Sequence, residues 1–230
     1  MQSPRPERAT ARLSAVVLAA GLSRRMGAAN KLLLPFGTVP LVRRVVTTIT
    51  ALPFREVIVA TGHEADAVEA ALTGLPVRLV RNAKYEDGQM TSVHAGLATL
   101  TAPSEGVMVC LGDQPALTSE DLELVAAAFF AADRADVLVP TFGGARGNPI
   151  VLSRPSLDAI LARGGNFGCR QFVTKNADLV RTFEMPNDHV LVDVDRPEDY
   201  AALRDPQSNA APERSFSTSA RRRADPSGPS

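Results

Sequence analysis

The stretch AVVLAAGLSRRMGAANKLL, residues 15–33, decides the fold. Its opening run, residues 15–18, is short, apolar and rich in β-branched residues, the signature of a buried strand. It passes directly into the small residues Ala19, Ala20 and Gly21, and then into Arg24, Arg25 and Lys31. A turn of small residues lets the backbone come close to a ligand, and successive N–H groups there can face phosphate oxygens. Arg25 adds a planar fork of donors and Lys31 a compact point charge. Strand, small turn and paired cations together suit a triphosphate. On composition alone the same stretch reads equally well as a surface loop between strand and helix. It is neither of two familiar phosphate loops: Lys31 is followed by two leucines, where a Walker loop needs Ser or Thr, and no G-x-G-x-x-G occurs.

Working outward, the periodicity predicts further strands over 57–60, 77–80, 107–111 and 137–140, and later ones near 149–152, 180–184 and 191–192. Helical patterns over 41–51, 65–72, 92–100 and 119–132 fall between the first five. Alternation of this kind predicts an α/β chain with a largely parallel sheet covered on both faces. Ligands then belong at the carboxyl ends of the strands. The organisation expected is a flexible arm over 1–12, one domain over 13–204, and a disordered Pro-, Ser- and Arg-rich tail over 205–230.

Two more segments satisfy the strand-end rule. Residues 107–111 deliver Gly112-Asp113-Gln114-Pro115, and Asp113 sits where a hard cation with phosphates would want a carboxylate. An ordinary turn before a helix is the plainer reading of the same aspartate. Near the end, Asp193 and Asp195 alternate and so share a face of an extended segment. Either is suited to complete a metal site with Asp113. Pro197, Glu198 and Asp199 read as the start of a final helix, where acidic residues suit the amino end.

Bulk properties bound the function. The 230 residues are 45% hydrophobic and carry 25 basic against 25 acidic side chains, so there is no basic field for nucleic acid. With no Trp and two Tyr, aromatic platforms for stacking bases are not expected. No apolar run approaches the ~20 residues of a membrane span. The two cysteines, Cys110 in an apolar run and Cys169 in a Gly-rich turn, have no pairing or metal-type spacing and suit a reducing cytoplasm. His63, His94 and His189 have no metal-ligand partner in sequence and are given no functional role.

The segments at 18–31 (LAAGLSRRMG…K), 82–92 (N-x5-G-x3-S), 112–115 (GDQP), 147–149 (GNP) and 193–200 (DVDRPEDY), in this order, resemble the molybdenum-cofactor nucleotidyltransferase family, its cytidylyltransferase branch most of all. The resemblance covers roughly residues 14–204 and implies a three-layer Rossmann-like nucleotidyltransferase fold with a mostly parallel mixed sheet. It implies that Ala19, Ala20, Gly21, Arg25 and Lys31 hold the nucleotide, and that Asn82, Gly88 and Ser92 line its nucleoside side. Asp113 would bind Mg²⁺, with Asp195 as second ligand and Asp193 in reserve. Gly147, Asn148 and Pro149, with Asn166 and Arg170, would border the acceptor pocket.

The implied reaction moves a nucleoside monophosphate, CMP from CTP, onto a phosphorylated acceptor such as molybdopterin. The product would pass to a molybdoenzyme or chaperone. Relatives that use the pterin carry Gly-Asp-x-Gly-Ala-Arg where this chain has Gly165-Asn166-Phe167-Gly168-Cys169-Arg170, so a carboxylate is missing and an apolar ring is added. Other acceptors, a sugar phosphate or alcohol phosphate, therefore stay open. So do a redox role, since the family includes oxidoreductases acting on a pigment, and a role as a cofactor carrier.

Overall fold

The computed structural model describes residues 8–27, 29–132, 136–163 and 176–204. Strand β1, Leu13–Ala19, is its centre, with every residue but Leu18 buried. Alternate side chains along it enter different cores. Ala15 and Val17 join one cluster and Val16 the other, the period-2 geometry of a strand covered on both faces.

The hairpin of β2, Pro35–Phe36, and β3, Val39–Pro40, leads into helix α1, Leu41–Thr50. Strand β4, Val57–Thr61, pairs parallel with β1 and is followed by helix α2, Ala65–Ala71. Strand β5, Arg78–Arg81, is parallel to β4 and forms one edge. Arg78 and Arg81, at its two ends, blunt an edge that would otherwise invite pairing. Helix α3, Gln89–Thr99, then returns the chain to strand β6, Gly106–Leu111, parallel to β1 on its other side.

Helix α4, Ser119–Ala131, follows, and Thr118 and Asp121 close a capping box at its amino end. Strand β7, Val137–Phe142, turns through Gly143 and Gly144 into the short β8, Ala145–Arg146, and then into β9, Ile150–Ser153. Strand β9 slots between β6 and β7, antiparallel to both. Strand β10, Val180–Glu184, is parallel to β7 and forms the far edge. The order is therefore β10-β7-β9-β6-β1-β4-β5. Helices α1 and α4 cover one face through Val42, Val46, Ile49, Leu122 and Val125. Helix α3 and helix α5, Arg154–Arg163, cover the other through Val93, Leu97, Leu157 and Ile160. The architecture is the expected three-layer α/β fold with a mostly parallel mixed sheet.

Three expectations shift. Residues 191–192 are not a strand: His189–Leu191 form a 3₁₀ turn whose backbone bonds close locally, and Val192 follows in extended conformation without a strand partner. Residues 9–12 are not part of a flexible arm: Ala9–Arg12 form a 3₁₀ turn docked on α4. Glu123 accepts hydrogen bonds there from the Ala9 N–H at 2.6 Å and the Thr10 hydroxyl at 2.7 Å, and Thr10 is fully buried. The helix expected from residue 92 begins one turn earlier, at Gln89. Residues 1–7 and the tail over 205–230 lie outside the described residues. Among the described residues no helix is long and apolar enough to cross a membrane.

Candidate active site

The loop after β1 folds back upon itself. Ser23 takes a left-handed conformation, φ 50°, and its hydroxyl accepts from the Lys31 N–H at 3.1 Å. Asn30, buried, caps the 3₁₀ turn Lys31–Leu33 by accepting from the Leu32 N–H at 3.1 Å. These local bonds bring Lys31 back to the carboxyl end of β1. Gly21 in the same loop is exposed, and a Cβ built there would meet nothing within 4 Å. Protein packing does not explain a glycine at that position; the approach of a ligand to bare backbone would.

The neighbouring strand β6 ends at the same level. The Gly112 N–H donates to the Leu18 carbonyl at 2.9 Å, and a Cβ at 112 would lie 2.9 Å from that same oxygen. Only a glycine lets the GDQP turn close this tightly on β1, and the closure sets Asp113 beside Lys31. The Asp113 carbonyl accepts from the Val194 N–H at 3.0 Å, which draws the segment 193–195 to the same spot.

Lys31 Nζ lies 2.5 Å from Asp113 Oδ2 and 2.9 Å from Asp195 Oδ1. Arg25 pairs with the other oxygen of Asp195. The ends of β1 and β6 and the DVD segment, over 160 residues apart in sequence for Lys31 and Asp195, thus meet in one ionic cluster. Burial works against the charge of Lys31, but Asp113 and then Asp195 outweigh it and raise the ammonium above its ordinary value. Burial likewise opposes ionisation of Asp195, yet Lys31 and Arg25 hold its carboxyl below the usual range. Asp193 goes the other way: burial first, then the charges of Asp113 and Asp195, push it up. Asp113 and Asp195 balance Lys31 and Arg25, and a further cation beside Asp193 would favour its ionised form.

Asp113 Oδ1 is buried and has no hydrogen-bond partner. A carboxylate oxygen in that condition is costly unless something satisfies it. Among the described residues no three His, Cys, Asp or Glu side chains are grouped to hold a metal ion alone; Lys31 stands between Asp113 and Asp195. The donor set fits Mg²⁺, which takes one or two carboxylates and completes its shell with phosphate oxygens and water.

The residues expected on the nucleoside side behave differently from one another. Asn82 and Ser92 are buried, and the Asn82 amide donates to Thr91 Oγ1 at 2.7 Å and Ser92 Oγ at 2.9 Å while its oxygen accepts from the Lys84 N–H. They shape the loop over 83–91 from within, and the exposed Gly88 at its tip has φ 118°.

Beside the segment expected to border an acceptor, the Val190 carbonyl is a junction. It accepts from the buried Gln114 amide at 3.1 Å and from the Asn148 N–H at 3.0 Å, while the Gly147 N–H donates to the Pro140 carbonyl at 2.8 Å. The GDQP turn and the segment Gly147, Asn148, Pro149 are thereby brought together. Asn166 and Arg170 lie outside the described residues.

Sequence reasoning missed four contributors: Gln114, Asp121, His63 and Tyr85. Gln114 was read only as part of its motif. Asp121, besides capping α4, accepts from the Asn187 amide at 2.9 Å and meets His189 Nδ1 at 2.8 Å, so it anchors the turn that feeds Asp193 and Asp195. His63 and Tyr85 stand beside the first loop. The Thr118–Asp121 capping spacing was legible, but its partners lie more than sixty residues away. A separate cavity of about 250 Å³ opens at the opposite end of the sheet, among Arg12, Arg55, Pro103, Ser104 and Glu105. Arg12 is committed there to Glu105 and to the Phe130 ring, so structural pairing accounts for its charge.

Comparison with known proteins agrees with this fold. The family model for the MobA-like NTP transferase domain matches residues 15–180. The chain is 26% identical to a molybdenum cofactor cytidylyltransferase of Escherichia coli over 84% of its own length and 96% of that protein. It is 29% identical to a nicotine blue oxidoreductase of Paenarthrobacter nicotinovorans over 80% of its own length and 92% of that protein. A solved nucleotidyl transferase from Methanothermobacter superposes with TM-score 0.72 at 26% identity, covering 84% of this chain and 96% of that one.

Proposed function

The chain belongs to the MobA-like NTP transferase family, a family of nucleotidyltransferases, and from that premise we propose that it moves CMP from CTP onto a phosphorylated small molecule of the molybdopterin type. The observation that carries this reading is Lys31 held between Asp113 and Asp195 at the carboxyl end of the sheet. The cations that would grip a triphosphate and the carboxylates that would hold its metal are already in contact. CTP and the pterin acceptor come from the molybdenum cofactor cytidylyltransferase relative.

In the proposed reaction an acceptor phosphate oxygen attacks the α-phosphorus in line. The new P–O bond forms as the bond to the β-phosphate breaks, and pyrophosphate leaves. Asp113 would hold Mg²⁺, with Asp195 as second ligand and Asp193 in reserve. When bound, the ion neutralises charge on the phosphate oxygens. Ala19, Ala20 and Gly21 offer backbone to the phosphates. Arg25 and Lys31 exchange their carboxylate partners for the triphosphate and stabilise the charge that builds on the leaving group. An acceptor phosphate is already ionised and needs no general base. Gly147, Asn148 and Pro149, fixed through Val190, border the acceptor, and Asn166 and Arg170 would complete that border. We place the activity in the cytoplasm, in keeping with the free, buried Cys110.

Product analysis tests the acceptor. Incubation with CTP, Mg²⁺ and molybdopterin should yield a cytidylylated pterin, and parallel incubations with a sugar phosphate and an alcohol phosphate should yield none. Transfer to either of those in place of the pterin would reassign the acceptor while keeping the reaction class. A redox reading has one specific support, the nicotine blue oxidoreductase relative. Reduction of that pigment by the purified protein with a nicotinamide donor, without pyrophosphate release, would favour it.

A further inference from the structure

Beyond the motif residues, a second wall flanks the phosphate turn. Gly62 and His63 follow β4, and Tyr85 opens the 3₁₀ turn Tyr85–Asp87 in the loop that Asn82 organises. A Cβ on Gly62 would lie 2.6 Å from Tyr85 Cβ, 2.8 Å from Tyr85 Cγ and 2.9 Å from Ala20 Cβ. Tyr85 is therefore packed against Ala20 across bare backbone, a fit that a side chain at 62 would break. The His63 N–H donates to the Ala20 carbonyl at 3.4 Å, and the His63 and Tyr85 rings lie 6.2 Å apart with planes tilted by 43°.

Both rings are only partly buried, so each keeps an open portion at the carboxyl end of the sheet. Burial, followed by Glu86, pushes the Tyr85 phenol up, so a ring already neutral near pH 7 stays neutral further into alkali. Asn82 and Ser92 are occupied inside the loop, and that leaves the nucleoside side in need of a surface.

We propose that Tyr85, backed by His63, is the surface against which the nucleobase of the bound triphosphate stacks. Every base has a π-face, so this contact supplies affinity without choosing between CTP and GTP. The inference rests on the nucleotide-binding reading above and extends it to residues that the family motifs leave unspecified. It also gives Gly62 a purpose: it lets the aromatic wall and the phosphate turn touch.

The chain has two tyrosines and no tryptophan, which makes a direct test practical. In full-length protein carrying ring-labelled tyrosine, two sets of ring signals are expected by NMR, and Tyr200→Phe assigns them. CTP and GTP with Mg²⁺ should shift the Tyr85 signals saturably, at the midpoint found by calorimetry. Inorganic triphosphate with Mg²⁺ should leave them nearly unmoved. Tyr85→Ala should weaken CTP binding roughly 5- to 150-fold, the range of one base–aromatic contact. It should leave triphosphate binding unchanged, and Tyr85→Phe, which keeps the ring, should recover most of the affinity. Calorimetric binding of CTP with Tyr85 signals unmoved, or moved equally by triphosphate, would overturn the proposal. Absence of heat from every nucleotide would instead overturn the nucleotide-binding reading beneath it, and the wall with it.

Discussion

Replacing Gly21 by alanine should stabilise the fold and impair the site. A Cβ at this position meets nothing within 4 Å, and Gly21 is not among the glycines with positive φ. The added methyl restricts the unfolded chain more than the folded one, which predicts a gain of about 0.4–1 kcal/mol. A triphosphate accepting from the backbone N–H groups of this turn would bring its oxygens to about 2.9 Å from nitrogen. A methyl carbon keeps its neighbours at about 3.5 Å or more, so a phosphate oxygen packed on the bare backbone within about 2.5–3 Å of where that carbon would stand must retreat by roughly 0.5–1 Å. Misplacement of about 1 Å costs on the order of a hundredfold in reaction rate. Urea unfolding followed by circular dichroism gives the stability, and pyrophosphate release as a function of nucleotide gives KM and kcat. A variant of equal or greater stability that loses on the order of a hundredfold in kcat/KM is the expected outcome. Unchanged kinetics would show that no ligand closes on this turn. A loss of stability above ~1 kcal/mol would show that Gly21 serves packing after all.

Lys31→Met should cost about 1–3 kcal/mol of stability, less than the roughly 3–5 of a fully buried pair, because Asp195 is 38% exposed; turnover should fall about 10²- to 10³-fold by pyrophosphate assay. Asp121→Asn should weaken the cap of α4 and the anchor of the turn before Asp193. Burial alone would raise the Asp121 carboxyl, but Asn187, His189 and Thr118 outweigh it and lower its pKa. A lowered folded-state value contributes stability that is complete above the unfolded-state pKa and is lost as pH falls through the folded one. The stability gap between wild type and Asp121→Asn should therefore be full near pH 7 and shrink below about pH 4, the ordinary aspartate region. A gap that widens in acid would reverse the assignment.

Much of the fold was legible because each element carried its own period. The run at 15–18 and the helix at 41–51 are local facts of composition, and they formed where expected. Residues 191–192 misled because two apolar residues suffice for a strand pattern, while the 3₁₀ turn at 189–191 depends on Asn187, Asp188 and the distant Asp121. The inserted, reversed β9 shows no signature in its own residues, since direction in a sheet is set by connections. At the site, Lys31, Asp113 and Asp195 were legible as chemistry awaiting a strand end, and the fold brings them together. Asn82 was legible as a motif residue, yet its amide is turned inward to build a loop. His189, set aside as functionless, bonds to Asp121 across 68 residues, a separation no local pattern reports. Scarce aromatics argued against stacking, but composition counts rings and cannot tell where a single Tyr85 will stand.

The most direct test of the central claim is pyrophosphate release from each of the four nucleoside triphosphates with Mg²⁺, with and without a molybdopterin acceptor, beside Asp113→Ala. Release with CTP should depend on the acceptor and fall by orders of magnitude in the folded variant. Release that persists undiminished in Asp113→Ala, or none with any triphosphate from folded wild-type protein, would contradict that claim.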